Sequence, residues 1–127
     1  MKIRHIENGD IDYFSSLFNI KREQLYDRLI YSKGRFNDAL FFVVYDEASS
    51  NNDGAFALQN IDYKNRHLEI HMVPQTKEMI DLASRYAFAQ FDLNKVYFFS
   101  NAGIEGYTDE GILRGRNKDT RVYSINK

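Results

Sequence analysis

Cysteine and tryptophan are absent from this chain of 127 residues, proline occurs once and glycine only seven times. Without cysteine there is no disulfide, no thiolate metal ligand and no cysteine nucleophile. So little proline and glycine excludes a low-complexity or collagen-like chain. Neither sign of charge is in excess, with 17 Lys+Arg against 18 Asp+Glu and a formal net charge of −1. Bulk attraction to a polyanion is therefore not expected. No apolar run approaches the roughly 18 residues of a membrane span. The opening Met1-Lys2-Ile3-Arg4-His5 has no apolar segment behind it, so a signal peptide is not expected either. The expectation is a cytoplasmic protein without a membrane partner, folded as a single domain over residues 1–127 and large enough to bury roughly two-thirds of its surface. What the chain does have is aromatic residues, 9 Tyr and 10 Phe.

Periodicity divides the chain into ten elements. Lys2–Ile6 alternates as a short strand, and Asp10 is a candidate N-cap for a helix carrying Ile11, Phe14, Leu17 and Phe18 on one face. Leu25, Leu29 and Ile30 predict a second helix over about residues 21–31, ending near Gly34. Ala39–Tyr45 is apolar without alternation, as in a strand covered on both faces. Asp46–Gly54 reads as a hairpin loop, Ala55–Ile61 as the returning strand, and His67–Val73 as the strand after it. Met79, Ile80, Ala83, Tyr86 and Ala87 mark a long helix from Thr76 to about Phe91. Val96–Phe99 forms a further buried strand. Gly106–Leu113 and Thr120–Ile125 pair as a closing hairpin. The order β-α-α-β-β-β-α-β-β-β implies a mixed, mainly antiparallel α/β (α+β) sheet of six or seven strands flanked by helices.

Several stretches resemble one family. Leu58–Ile70 is similar to the central hairpin of GNAT N-acetyltransferases, in the branch that acetylates ribosomal-protein N-termini and polyamines. Tyr86-Ala87-Phe88 and Asp92–Tyr97 resemble that branch's long helix and its exit into the fifth strand. Asn101, Glu110–Arg114 and Asp119 with Val122–Ile125 resemble its last hairpin. The resemblance implies a GNAT fold, acetyl-CoA as acyl donor and an amine as acceptor.

Two departures stand against it. The family's glycine-containing loop before the long helix cradles the donor's pyrophosphate on backbone N–H groups. Here Val73–Met79 contains no glycine and is about six residues shorter, more than a helical turn. Glu78 adds a carboxylate at the same helix end. Beyond the fifth strand, Asn101–Tyr107 is too short for the family's next helix and the tyrosine that protonates the departing thiolate. Tyr107 matches a packing residue instead. From these losses the sequence predicts a GNAT-fold module that has lost acetyl-CoA binding and catalysis, needs no cofactor, and binds a protein partner or a second copy of itself. His71, Gln75 and Tyr97 are the candidate partner surface. The alternative is an active N-acetyltransferase, with Glu69 as general base and Asn101 contacting acetyl-CoA.

Other chemistry is weaker. His67, Glu69 and His71 alternate on one strand face and include metal-ligand types. Side chains two residues apart on a strand stand about 7 Å from each other, however, so no metal site is expected. Arg114, Arg116, Lys118 and Arg121 lack interleaved aromatics and read as a solvated hairpin tip, so nucleic acid is not an expected partner. No Ser-His-Asp order, Walker loop or dinucleotide fingerprint occurs.

Overall fold

A computed structural model describes residues 1–25, 39–114 and 119–127. Its elements are β1 (Lys2–His5), α1 (Ile11–Phe18), β2 (Ala39–Tyr45), β3 (Asn52–Asp62), β4 (His67–Val73), α2 (Lys77–Gln90), β5 (Lys95–Ser100), β6 (Thr108–Arg114) and β7 (Asp119–Asn126). They form one seven-stranded sheet in the order β1-β2-β3-β4-β5-β7-β6. Every neighbouring pair is antiparallel except β4 and β5. A parallel pair needs a crossover, and α2 supplies it. Fold class and element order thus follow the sequence reading. Residues 22–25 are helical, while the rest of the second predicted helix and the tip at 115–118 lie outside the described residues.

Both sheet faces are covered, which explains the unbroken apolar run of β2. Phe42, Val44, Phe56, Leu58, Leu68, Ile70, Val96 and Phe98 pack under Met79, Ile80, Ala83 and Ala87 of α2. Phe41, Val43, Ala55 and Ala57 face the other way, onto Ile11, Phe14 and Phe18 of α1 and onto Leu25. The aromatic surplus goes largely into these cores. Phe42 and Phe56 stack at 4.9 Å beneath the edge of Tyr86, and Phe98 stacks on Tyr123 at 5.5 Å. Such pairs add about 0.5–1.5 kcal/mol each beyond the area they bury.

Two local expectations change. Asp10 precedes α1 as expected but does not cap its amides. Its carboxylate instead accepts from Arg4 Nη2 at 2.8 Å, from Arg4 Nη1, and from the Glu7 N–H at 2.9 Å, tying α1 to β1. The Arg4 guanidinium, foremost among the causes, holds the Asp10 carboxyl below its ordinary value. The cap role is met at α2, where Thr76 Oγ1 accepts from Met79 N at 3.2 Å.

The second change is the long hairpin loop, which ends earlier than its composition suggests. Residues 52–54 already pair with β2, Gly54 lying opposite Val44. Gly54 is there because nothing larger fits. A Cβ would stand 2.5 Å from Val73 O, 2.7 Å from Met79 Cε and 2.8 Å from Pro74 Cδ. The glycine is a close-approach position in a strand, which sequence composition cannot tell from a turn.

This generates a prediction. Gly54→Ala should destabilise the fold by about 1–3 kcal/mol in urea unfolding, the usual cost of an overpacked site. Gly103→Ala, where a Cβ meets nothing within 4 Å, should stay close to wild type. Equal midpoints for the two variants would show that the β3–α2 approach is looser than described.

Candidate active site

The parallel pair is where the sheet opens. His67, Leu68 and Glu69 pair with Lys95, Val96 and Tyr97, and there the pairing stops. Beyond that point β4 stays bonded to β3 as far as Val73, and β5 stays bonded to β7 as far as Ser100. Each strand is held by its outer neighbour, so their inner edges part and leave backbone polar groups facing a wedge. Such groups need partners. One is met by Gln75, whose Nε2 donates to Phe99 O at 2.8 Å. The three-residue connection Pro74–Thr76 also puts the N-terminus of α2, with exposed Thr76 and Lys77, at the mouth of the wedge.

Glu69 sits at the last paired position, opposite Tyr97. Both its oxygens are held. Oε2 accepts from Gln59 Nε2 at 2.9 Å and Oε1 from Asn60 Nδ2 at 2.8 Å. Consecutive strand residues ordinarily point to opposite faces. The bulge between Gln59 and Asp62, with Asn60 at φ 50°, breaks the alternation and lets both amides reach one carboxylate. Sequence reading missed Gln59 and Asn60, and a bulge leaves no spacing signal that would have found them.

The neighbours of Glu69 on this face are aromatic and basic. Tyr97 lies edge-on to His67 at 5.7 Å and to Phe99 at 5.9 Å. Burial, then the charges of Glu69 and Asp62, push the Tyr97 hydroxyl up, so it stays protonated. His71 meets the Phe18 ring edge-on at 4.8 Å, and burial pulls its imidazole down against the opposing pull of Glu69. His67 Nε2 lies 3.6 Å from Asp62 Oδ2, while its Nδ1 is buried without a partner. Lys95, Glu110 and Val122 close a cavity of about 210 Å³ with His67 and Tyr97. Among the described residues no group of three His, Cys, Asp or Glu side chains could hold a metal ion.

The remaining predicted residues fall nearby but separately. Gln75 reaches across the wedge, and His71 and Tyr97 belong to the Glu69 face. Asn101 follows β5, where its Oδ1 accepts from Thr120 Oγ1 at 3.2 Å. Tyr107 lies on the opposite face, under α2. Its hydroxyl donates to Asp81 Oδ1 at 2.9 Å and its ring meets Phe98 edge-on at 5.4 Å. There it borders an open groove of about 720 Å³ lined by Arg85, Phe88 and Ile125. Among the described residues no helix is long and apolar enough to cross a membrane.

Known structures share this architecture. A point variant of the Vibrio cholerae spermidine N-acetyltransferase SpeG matches with a TM-score of 0.76 at 24% identity, over 99% of this chain and 95% of that one. A second variant gives 0.78 at 23% identity, over 98% and 92%. The same enzyme in complex with CoA and spermine gives 0.71 at 24% identity, over 98% and 94%. No family model and no curated protein matches the chain. The chain has the GNAT fold.

These neighbours overturn the expectation of a binding module that has lost acetyl-CoA and catalysis. They are N-acetyltransferases, one solved with CoA, and they align along almost the whole chain. The expectation that no cofactor is needed is left without support, since one of these neighbours is solved with CoA. The physical reason is that the opening between β4 and β5 is built by strand edges held by β3 and β7. The short connections at Pro74–Thr76 and Asn101–Tyr107 do not form it, so their length does not decide whether it exists.

The Tyr107–Asp81 bond yields a pH prediction. Burial, then Asp81, raises the Tyr107 hydroxyl to about 12. A group raised on folding contributes stability that is complete below its unfolded value, about 10, and is lost as pH rises through the folded one. Wild type should therefore lose more stability than Tyr107→Phe between about pH 10 and 12 in thermal melts. Parallel curves would mean that the bond does not form in solution.

Proposed function

We propose that this chain is an acetyl-CoA-dependent N-acetyltransferase acting on an amine. One observation carries the reading: Glu69 stands at the vertex where β4 and β5 part, with both oxygens fixed. A wedge with unpaired strand edges fits an arm containing amides, because the edges offer N–H and C=O groups to it. The N-terminus of α2 at its mouth, together with Lys77, suits an anionic tail. Asn101, at the end of β5, is the further donor contact in this reading. When bound, acetyl-CoA supplies an acyl group activated as a thioester.

The chain's own residues then have defined tasks. The Gln59 and Asn60 amides fix the direction of the Glu69 lone pairs. Glu69 takes a proton from the acceptor ammonium, directly or through one water, which frees the nitrogen lone pair to attack the acetyl carbonyl. As the C–N bond formed and the C–S bond broke, the second proton that the nitrogen must shed would pass to the departing thiolate, so that donor and acceptor protons balance. Tyr97 and Phe99 give the acceptor an aromatic wall, and a cationic amine suits an aromatic face beside a carboxylate. Because the structural neighbours are spermidine N-acetyltransferases, a polyamine is the first acceptor to test, ahead of protein N-termini and other small amines.

Two measurements check the reading. Acetyl-CoA at 100 times its dissociation constant should stabilise the fold by about 2.7 kcal/mol, visible as a higher melting temperature. Glu69→Gln should keep that shift yet lower kcat for amine acetylation by roughly 10²-fold or more, the usual share of a general base. The absence of any shift at millimolar acetyl-CoA would overturn the proposal.

A further inference from the structure

The contact that spans the wedge has a chemical character of its own. Gln75 is an exposed residue of the Pro74–Thr76 connection, and its carboxamide nitrogen donates to Phe99 O at 2.8 Å while lying 3.7 Å from Met72 Sδ. Met72 belongs to β4 and Phe99 to β5, so one side-chain amide bridges both separated strands. An amide N–H donating to a strand-edge carbonyl is the contact that a peptide-like ligand makes when it lies along such an edge. Phe99 O is therefore already taken, by a group of the same chemistry as an amide-bearing arm.

The flanking backbone gives Gln75 this position. Pro74 packs against the Gly54 position, and Thr76 is committed to capping α2 through the Met79 N–H. With both neighbours fixed, rotation of the Gln75 side chain alone makes or breaks the bond. The bond joins two neutral groups at an exposed site, so its net contribution is small and it is readily exchanged.

We propose that Gln75 is an internal competitor for the acyl donor, its carboxamide holding the Phe99 carbonyl that an amide of the donor's arm takes over on binding. The inference rests on the acetyl-CoA reading above and adds the residue that sets donor affinity. Apparent affinity then equals the intrinsic affinity reduced by the fraction of molecules with Gln75 swung away. The device also gives the unliganded wedge a satisfied carbonyl, so the strand edge offers one fewer acceptor to other chains.

The test is calorimetric titration of CoA into wild type, Gln75→Met and Gln75→Ala. Methionine keeps the length and removes the donor; alanine removes both. Both variants should bind CoA roughly two- to tenfold more tightly than wild type, the span expected for loss of one weak competing hydrogen bond. Their ligand-free melting temperatures serve to confirm folding. In wild type, the Gln75 side-chain amide resonances should shift in step with CoA occupancy. Variants that bind no tighter, or more weakly, would overturn the assignment while leaving the acetyl-CoA reading intact. Resonances that stay fixed while CoA saturates the protein would do the same. No binding by wild type and by both variants would overturn the two together.

Discussion

Everything around the proposed site depends on the partial pairing of β4 with β5. Three residue pairs join the strands, and beyond Glu69 and Tyr97 each strand follows a different neighbour. A sheet resists leaving backbone groups unpaired, so an opening of this kind persists only if both strands are held from outside. Here β3 holds β4 and β7 holds β5, both in antiparallel register to their ends. The buried contacts of α2 with Leu68, Ile70, Val96 and Phe98 fix the two strands from one face. Loop length on either side of α2 enters only at the rim.

That constraint also sorts the side chains by function. Residues 68, 70, 72, 96 and 98 point into the α2 core and are apolar. Their neighbours His67, Glu69, His71, Tyr97 and Phe99 point the other way, where Glu69 meets amides rather than hydrocarbon. The bulge in β3 belongs to the same design. By bringing Gln59 and Asn60 onto one face, it supplies two donors to a carboxylate that a regular β3 would leave half satisfied. On the far face, Tyr107 bonds Asp81 and anchors the Asn101–Tyr107 connection on α2.

Much of the fold was legible because apolar periodicity reports burial directly. The all-apolar run of β2, the three- and four-residue spacing in α2 and the alternation along β4 each correspond to an observed element. Misreadings came where one residue type serves two structural ends. Asp10 looked like a helix cap and is an ion-pair partner of Arg4. Gly54 looked like a turn residue and is a strand residue under Pro74 and Met79. The functional correction has a related origin: short loops do not remove a site shaped by strand edges, and those edges carry no sequence signature.

By itself the sequence determined the order of elements, the faces of the helices and the alternation that puts His67, Glu69 and His71 on one side of a strand. These follow from local geometry, with its fixed periods of 3.6 and 2 residues. Only the tertiary structure decided that β4 and β5 part after Glu69, that Gln59 and Asn60 converge on its carboxylate, and that Gln75 bridges to Phe99. Each of these joins residues 9 to 28 positions apart through register, bulge and strand separation. Such relations arise from competition between neighbouring strands for the same backbone groups, and no single stretch of sequence encodes its outcome.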